Sequence, residues 1–277
     1  MNFQIVIDRF KTRTDELRKK QSDLYKNISE DADLVSSIAL AHADMARRAQ
    51  GHSESIKRTS IEFFVKMFNG ESPFSIEKDK FDFWHQETCK KYCDELNKQY
   101  GTKFKMTYGR AQKVLNMMFK YLYCTNTYKQ EIEKLIDVLH MTLDGYTLNW
   151  VNNYVNHDKS IKKISEWSKM GQEEYLAIQK RIREYLPAVS IYYYSIKINK
   201  TTIQGLATLQ DDNCILYDDP FLAEFIIWEG ETICSTIGTT FAGIEKLYKE
   251  REQISWVIND DIKRLIKKRT DDFINEI

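Results

Sequence analysis

The chain is predicted to fold as a mainly α-helical protein, and three features of its composition and pattern support that fold class. It has 277 residues but only ten Gly and three Pro, which is too few for a fold made of many tight turns. Apolar residues recur at helical spacing through most of the chain. A hydrophobic content of 42% is enough to bury a large core. We therefore expect long helices with a mixed C-terminal segment.

The first region, residues 1–72, is predicted to be a helical hairpin followed by a third helix. Phe3, Phe10, Leu17 and Leu24 repeat at intervals of seven and predict a long first helix. A second helical pattern, LVSSIALAHADMARRAQ, stops at Gly51, since glycine commonly ends helices. The third helix is predicted over 55–68, and the loop after it contains Pro73, where we place a domain boundary.

The second region, residues 73–187, is predicted to be a run of helices joined by loops, and the third, residues 188–277, to be a mixed segment that packs back on the core. The predicted helices of the second region cover 81–99, 108–123, 128–139, 144–155, 159–169 and 172–185. Pro187 ends this run because proline cannot continue a helix interior. Beyond it, VSIYYYSIKINKTTI predicts a strand or a hairpin, and Asp218-Asp219-Pro220 predicts a helix start before further helical sequence.

Targeting and cysteine signals favour a cytoplasmic protein. No run of 18 apolar residues predicts a membrane span, and the N-terminal sequence lacks the apolar region of a secretory signal. The five cysteines show no paired spacing, so reduced thiols are expected. We predict no cofactor, no metal and no membrane partner.

Charge is sorted along the chain although the net charge is zero. Residues 96–130 contain no Asp or Glu and seven Lys or Arg, which predicts a surface that faces phosphate groups. Residues 201–245 contain no Lys or Arg and eight acidic residues, which predicts a surface for a protein partner. An equally simple interpretation is that the two runs are solvated faces that attract each other.

Two residues in the predicted second region, Lys113 and Asp144, suggest an active site. In YGRAQKVLNMMFKYLY, residues 108–123, Lys113 lies nearly opposite the apolar stripe, so periodicity alone predicts a solvent-facing lysine. Asp144 in HMTLDGYTLNWV is placed where a helix would begin, so it is also an ordinary N-cap candidate. Local pattern therefore leaves a structural and a catalytic interpretation open for both.

The pairing of these residues resembles the helix-hairpin-helix DNA glycosylase superfamily, in which a lysine on the helix after the hairpin works with an aspartate at the N-terminus of a later helix. Lys113 and Asp144 are 31 residues apart, which is similar to the archaeal 8-oxoguanine DNA glycosylase branch. Gln112-Lys113-Val114 resembles that branch's lysine segment, and the turn His140-Met141-Thr142-Leu143-Asp144 is similar to the superfamily's P-V-D turn. Tyr108-Gly109-Arg110 stands in place of the Gly-rich hairpin.

The resemblance implies a DNA glycosylase that excises a damaged or modified base from a flipped nucleotide, with an additional lyase step as an open expectation. Lys113 would attack C1′ as a neutral amine, and Asp144 would accept a proton or stabilise positive charge on the sugar. The expected DNA contacts come from Lys103, Lys105, Tyr108, Gly109, Arg110 and Lys120. The expected substrate pocket is formed by Gln112, Met117 and His140.

Other constellations in the sequence offer alternatives. His85, Cys89 and Cys93 share one helix face and could bind zinc, but small buried cysteines are the simpler interpretation. Arg47 and His52 fit the spacing of helical ribonucleases, although Gly51 between them indicates a helix end. Tyr192-Tyr193-Tyr194 could stack bases or pack in a core. The alternative from another class is a helical interaction or inhibitor protein without catalysis, which binds its partner through residues 201–245.

Overall fold

A computed structural model describes the chain over residues 4–46, 53–156, 158–161, 164–186, 190–198, 201–209, 219–225 and 227–228. The eight helices there are α1 (Gln4–Tyr25), α2 (Ala32–Ala46), α3 (Glu54–Gly70), α4 (Phe81–Tyr100), α5 (Tyr108–Tyr123), α6 (Lys129–Glu133), α7 (Gly145–Trp150) and α8 (Gln172–Tyr185). Single 3-10 turns occur at Pro73–Ser75, Lys78–Lys80 and Trp167–Lys169, and α7 continues as a π-helical turn over Val151–Val155. The prediction of a mainly α fold is confirmed.

The central element of the fold is α5. Helices α2, α4, α6 and α8 and the turn Trp167–Lys169 all contact it, and α2 runs along much of its length. Every residue from Ala111 to Tyr123 is consequently buried. A helix covered on all sides must bury its polar side chains as well as its apolar ones. The predicted bounds of this helix, 108–123, are those observed.

Helix α1 packs on α2 through a face that differs from the predicted heptad stripe. Ile7, Phe10 and Tyr25 are buried, whereas Leu17 and Leu24 are among the exposed large hydrophobic residues. A straight α-helix has 3.6 residues per turn, so positions spaced at seven drift off a fixed face over several turns. Arg18 occupies the inward face instead and donates hydrogen bonds to the Ser37 hydroxyl and the Tyr121 carbonyl.

The core does not stop at the boundary predicted near Pro73. One hydrophobic cluster contains residues from α1 to α5 and also Leu139, Phe221 and Phe225. A second cluster is formed by the 141–155 stretch, α8 and the C-terminal residues Ala223 and Ile227. Residues 220–225 and 227–228 are helical, as Asp218-Asp219-Pro220 predicted, and the backbone N–H of Ala223 donates to the Asp219 carbonyl.

Two predicted helices of the second region are wrong in extent or in kind. Helix α6 is limited to Lys129–Glu133, and turns occupy the rest of the predicted 128–139 span. The predicted helix over 159–169 is absent from its described residues apart from the turn Trp167–Lys169. The reason is visible at Asn156, whose side chain both donates to the Ile161 carbonyl and accepts from the Ile161 N–H, which holds the backbone in a non-helical loop.

The predicted hairpin is present as two antiparallel strands, β1 (Ser190–Ile198) and β2 (Thr201–Leu209), which pair from Ser190↔Leu209 to Ile198↔Thr201. The side chains of Tyr192, Tyr193 and Tyr194, and the ribonuclease-like pair of Arg47 and His52, lie outside the described residues. So does most of the acidic stretch 201–245. None of the helices in the described part of the chain is long and apolar enough to cross a bilayer.

Gly109 is the closest backbone approach between α5 and the segment that crosses it. Its N–H donates to the Met170 carbonyl at 3.0 Å, and a Cβ on this residue would lie 1.7 Å from the Trp167 carbonyl oxygen. Only glycine therefore fits here without displacing the 167–170 backbone.

We expect Gly109→Ala to lower the free energy of unfolding by about 1–3 kcal/mol, the usual cost of overpacking. Chemical denaturation measures this change. Gly70→Ala is the matched control, because a Cβ on Gly70 meets nothing within 4 Å. Equal stability of the two variants would contradict the close packing of Gly109 against Trp167.

Candidate active site

Lys113 points from α5 into the protein and meets Asp144. Its Nζ donates a hydrogen bond to Asp144 Oδ2 at 3.1 Å, and the pair is buried, with Lys113 9% exposed. The solvent-facing lysine that periodicity favoured is therefore wrong. Other elements cover the polar side of α5, so a position opposite the apolar stripe is still inside the fold.

Asp144 is at once an N-cap and a partner of the lysine. Its Oδ1 accepts the backbone N–H groups of Tyr146 and Thr147, and its own N–H donates to Thr147 Oγ1, which completes a capping box at the start of α7. Burial raises the pKa of this carboxyl, but the charge and hydrogen bond of Lys113 and the two backbone N–H bonds outweigh it and hold the pKa below its usual value. The carboxylate is therefore ionised at neutral pH.

The peptide groups just before Asp144 are held by buried side chains from three different helical elements. Gln179 of α8 accepts from the Met141 N–H and donates to the Met141 carbonyl. Glu224 accepts from the Thr142 N–H at 2.7 Å. Gln112 of α5 accepts from the Leu143 N–H and donates to the Leu143 carbonyl. Each bond fixes the backbone that places Asp144, so the carboxylate is preorganised against Lys113.

Beneath this turn lies a buried polar network on the same face of α5. Asn116 donates to Gln112 Oε1 and to the Tyr175 hydroxyl at 2.9 Å. The Tyr175 hydroxyl lies 2.8 Å from His140 Nδ1, and His140 Nε2 lies 2.7 Å from Asp82 Oδ1. Because the Asp82 carboxylate accepts a hydrogen bond from Nε2–H, Nδ1 of the neutral ring accepts one from the Tyr175 hydroxyl. Burial lowers the pKa of His140, which keeps the ring neutral.

A cleft of about 560 Å³ opens beside the lysine and aspartate. Most of its lining comes from α7 with its π-turn and from the 164–168 segment. The lining residues are Gly145, Leu148, Asn149, Asn152, Ile164, Ser165, Glu166, Trp167 and Ser168, together with Arg110 and Met45. Gly145 adjoins Asp144, and the Trp167 ring lies 4.8 Å from Lys113 Nζ. Neither Lys113 nor Asp144 lines the cleft itself: the Trp167 ring lies over the cation, and Gly145 is the lining residue next to the acid.

No family model, no curated protein and no solved structure matches this chain. What the protein can do must therefore be argued from its own side chains. Among the described residues no group of three His, Cys, Asp or Glu could hold a metal ion. His85 bonds Asn116, and Cys89, Cys93 and Cys124 are free thiols, of which Cys89 and Cys124 are buried.

The three residues predicted to form a substrate pocket are elsewhere. Gln112 is fully buried and occupied by the Leu143 peptide, Met117 packs in the hydrophobic core, and His140 bridges Asp82 and Tyr175. None of them lines the cleft. Met117 belongs to the core, and the donors and acceptors of Gln112 and His140 are used by the backbone and by other side chains.

The predicted DNA contacts divide into exposed and buried residues. Lys103 and Lys105 are exposed in the loop between α4 and α5, and Arg110 lines the cleft with its guanidinium over the Phe104 ring. Tyr108 is half-buried beside Tyr175, and Gly109 is buried under Trp167. Lys120 is also misplaced in the prediction: it is 1% exposed and pairs with Glu224, so it does not lie on the phosphate-facing surface.

Sequence reasoning missed the residues that support the pair. Asn116, Tyr175, Gln179 and Glu224 come from three separate stretches of the chain: α5, α8 and the C-terminal helical residues. One signal was available within α5, where Gln112, Lys113, Asn116 and Lys120 form a polar strip along an otherwise apolar helix. Such a strip on a helix that must be buried predicts partners, although it does not say which residues provide them.

We expect Asp144→Asn to lower the free energy of unfolding by about 3–5 kcal/mol at neutral pH, because it leaves a buried ammonium without its partner. Asparagine is itself a good N-cap, so loss of the cap contributes little. Lys113→Met combined with Asp144→Asn should regain most of the lost stability. A single variant as stable as wild type would contradict the buried ion pair.

The contribution of Asp144 to stability should depend on pH. Since its pKa is lower in the folded than in the unfolded protein, its stabilising effect is present above the unfolded value, about 4, and is lost as pH falls through the folded value. The stability difference between wild type and Asp144→Asn should therefore be largest near neutral pH and shrink below about pH 4. Urea denaturation across this range measures it, and a gap that widens in acid would contradict the assignment.

Proposed function

We propose that this protein is a DNA glycosylase that removes a damaged or modified base, with Lys113 as nucleophile and Asp144 as its proton acceptor. The contact between Lys113 and Asp144 beside a cleft carries the proposal. Catalysis by a nucleophile and a base needs the two groups within hydrogen-bond distance, and 3.1 Å meets that requirement. The two residues come from separate helices, with the aspartate at a helix start, as in the superfamily that the sequence resembles.

The reaction would begin with proton transfer. Lys113 Nζ donates a hydrogen bond to Asp144, so the nearest base for its proton is the carboxylate that it already contacts. The neutral amine then forms a bond to C1′ of the sugar while the bond from C1′ to the base breaks; the electron pair of that bond leaves with the base, which takes the proton held by Asp144. The carboxylate next removes a second proton from the new ammonium, and O4′ takes this proton as its bond to C1′ breaks. Opening of the sugar ring gives an iminium between Nζ and C1′, from which a lyase step can cleave the strand.

The cleft is suited to a nucleotide that has left the duplex. A base inside the double helix does not expose its glycosidic bond to a buried lysine, so the nucleotide must rotate into a pocket. The cleft offers amide and hydroxyl groups at Asn152, Ser165 and Ser168 and an apolar surface at Leu148 and Ile164. A few polar groups among apolar ones are typical of a site that orients a small ligand.

Trp167 separates the cleft from Lys113 and would control access to it. Its ring covers Lys113 Nζ, which a cation–π contact favours while the lysine is charged. Once the lysine loses its proton, that attraction is lost, and the ring can move aside for the sugar. The exposed Lys103 and Lys105 and the nearby Arg110 would contact the phosphates on either side of the flipped nucleotide.

The alternative, an interaction protein that uses the acidic stretch 201–245, gains no support from the described part of that stretch. Glu224, an acidic residue in the described part of that stretch, is buried against Lys120 and Thr142. It therefore serves the interior of this protein and not the surface of a partner. A cytoplasmic location, where DNA is accessible, fits the proposed activity.

Borohydride trapping tests the nucleophile. Incubation of the protein with duplexes that carry an oxidised guanine or an abasic site, in the presence of borohydride, should give a covalent adduct, because hydride reduces the iminium to a stable amine. Lys113→Ala should abolish the adduct. Asp144→Asn should slow trapping by about 10²- to 10⁴-fold, the usual contribution of a general base.

The control is Lys57→Ala, which removes a different buried lysine, one that contacts Gln21 and the Tyr25 ring far along the chain from the site. It should leave trapping unchanged. An adduct that survives Lys113→Ala would show that another group is the nucleophile, and base release without any adduct would limit the reaction to hydrolysis.

Salt dependence of DNA binding tests the phosphate contacts. We expect Lys103→Ala and Lys105→Ala each to weaken binding similarly for all sequences and to reduce the slope of log K against log salt by about one. The same slope, measured for Lys98→Ala and Lys129→Ala, shows whether the DNA contacts extend to the two ends of the acid-free stretch. Lys66→Ala, on the exposed side of α3, is the control and should leave the slope unchanged. Slopes that match wild type for Lys103→Ala and Lys105→Ala would place the DNA on another surface.

A further inference from the structure

Two buried pairs of a lysine and a carboxylate lie along one face of α5. Lys113 pairs with Asp144, and Lys120, seven residues later and two turns along the helix, pairs with Glu224 at 2.8 Å. Both partners of the second pair are 1% exposed. Lys120 Nζ is also surrounded by aromatic rings, since Phe10 and Phe225 have their centroids 5.2 and 4.6 Å away.

A second buried ion pair is not explained by stability alone. Replacing such a pair with apolar residues of similar volume is often neutral or stabilising, because removing two charges from water costs more than their attraction returns. The geometry of Glu224 indicates another use. Its Oε1 accepts from Lys120, and its Oε2 accepts from the backbone N–H of Thr142, two residues before Asp144.

The position of Thr142 determines the position of Asp144. The Thr142 carbonyl accepts from Thr147 Oγ1 at 2.6 Å, and the same hydroxyl accepts from the Asp144 N–H at 2.8 Å. A displacement of the Thr142 peptide would therefore reach the capping box that holds the Asp144 carboxylate. Gln179 and Gln112 hold the neighbouring peptides, but in the described structure the Thr142 N–H has Glu224 as its acceptor.

We propose that Glu224 is a positioning residue for the Lys113–Asp144 site: it fixes the Thr142 peptide, and Lys120 serves to aim its carboxylate. The C-terminal helical segment, residues 220–225 with 227–228, is thus an integral part of the site. The effect of Glu224 on the position of Asp144 does not depend on any activity, whereas its effect on catalysis rests on the proposed glycosylase function.

Two double variants separate the hydrogen bond to Thr142 from the ion pair. Lys120→Met with Glu224→Gln removes both charges but keeps an oxygen that can accept from the Thr142 N–H. Lys120→Met with Glu224→Leu removes the same charges and also the acceptor, which leaves a buried N–H without a partner. The two proteins carry the same charges, and only the first offers an oxygen to the Thr142 N–H.

Two measurements without DNA report the position of Asp144. NMR should show faster amide exchange at Thr142 in the Leu double variant than in wild type, and a pKa of Asp144 that rises toward or above its ordinary value as contact with Lys113 weakens. The Gln double variant should match wild type in both. Identical exchange and titration in the two double variants would overturn the proposal.

A third measurement connects the position to catalysis. At saturating DNA the Leu double variant should be trapped by borohydride roughly 10- to 100-fold more slowly than the Gln double variant, as for a small displacement of a catalytic group, with unchanged DNA affinity. If wild type traps no DNA, the glycosylase function fails, and the NMR data still decide the role of Glu224.

A reserve variant covers the case in which the Leu double variant does not fold. Glu224→Asp keeps the charge but shortens the side chain by one methylene, so a carboxylate that stays paired with the Lys120 ammonium is drawn away from the Thr142 N–H. It should show the same faster exchange at Thr142 and the same rise in the pKa of Asp144. A Glu224→Asp protein that behaves as wild type in both would equally overturn the proposal.

Discussion

The hydrogen-bonded ion pair between Lys113 and Asp144 is the interaction on which the rest of the site depends. Two charges removed from water are tolerated only where geometry and further hydrogen bonds compensate for the lost solvation. The surrounding structure provides that compensation. Asp144 receives two backbone N–H groups at the start of α7, and Lys113 lies under the Trp167 ring. Burial, which costs stability, also keeps the lysine and the carboxylate in direct contact.

The need to satisfy buried polar groups explains much of the surrounding architecture. Helix α5 is enclosed on every side, so its polar strip must find partners inside the protein. It finds them in the turn before Asp144, in α8 and in the C-terminal helical segment. The same bonds that satisfy Gln112, Asn116 and Lys120 hold the turn in place. The same hydrogen bonds therefore support the candidate site and complete the core.

Local pattern predicted much of the fold but little of the environment of each side chain. The bounds of α5 and α8 and the start of α7 follow from apolar spacing and from Asp144 as a cap, which are properties of the nearby sequence. The predicted helix over 159–169 was wrong because the described residues there are held by hydrogen bonds from Asn156 to Ile161 and from Ser165 to Glu174, which periodicity does not register. Lys120 was mistaken for a surface cation because its partner lies 104 residues away.

The sequence by itself determined that the protein is mainly helical and that Lys113 and Asp144 were the residues to examine together. Helix propensity, apolar periodicity and capping act over a few residues, so they can be read without a structure. Only the tertiary structure decided that the two side chains meet, that Gln112 and His140 support the site instead of lining the cleft, and that Glu224 reaches the turn before Asp144. These outcomes depend on which helices cover α5, and that is set by packing between distant parts of the chain.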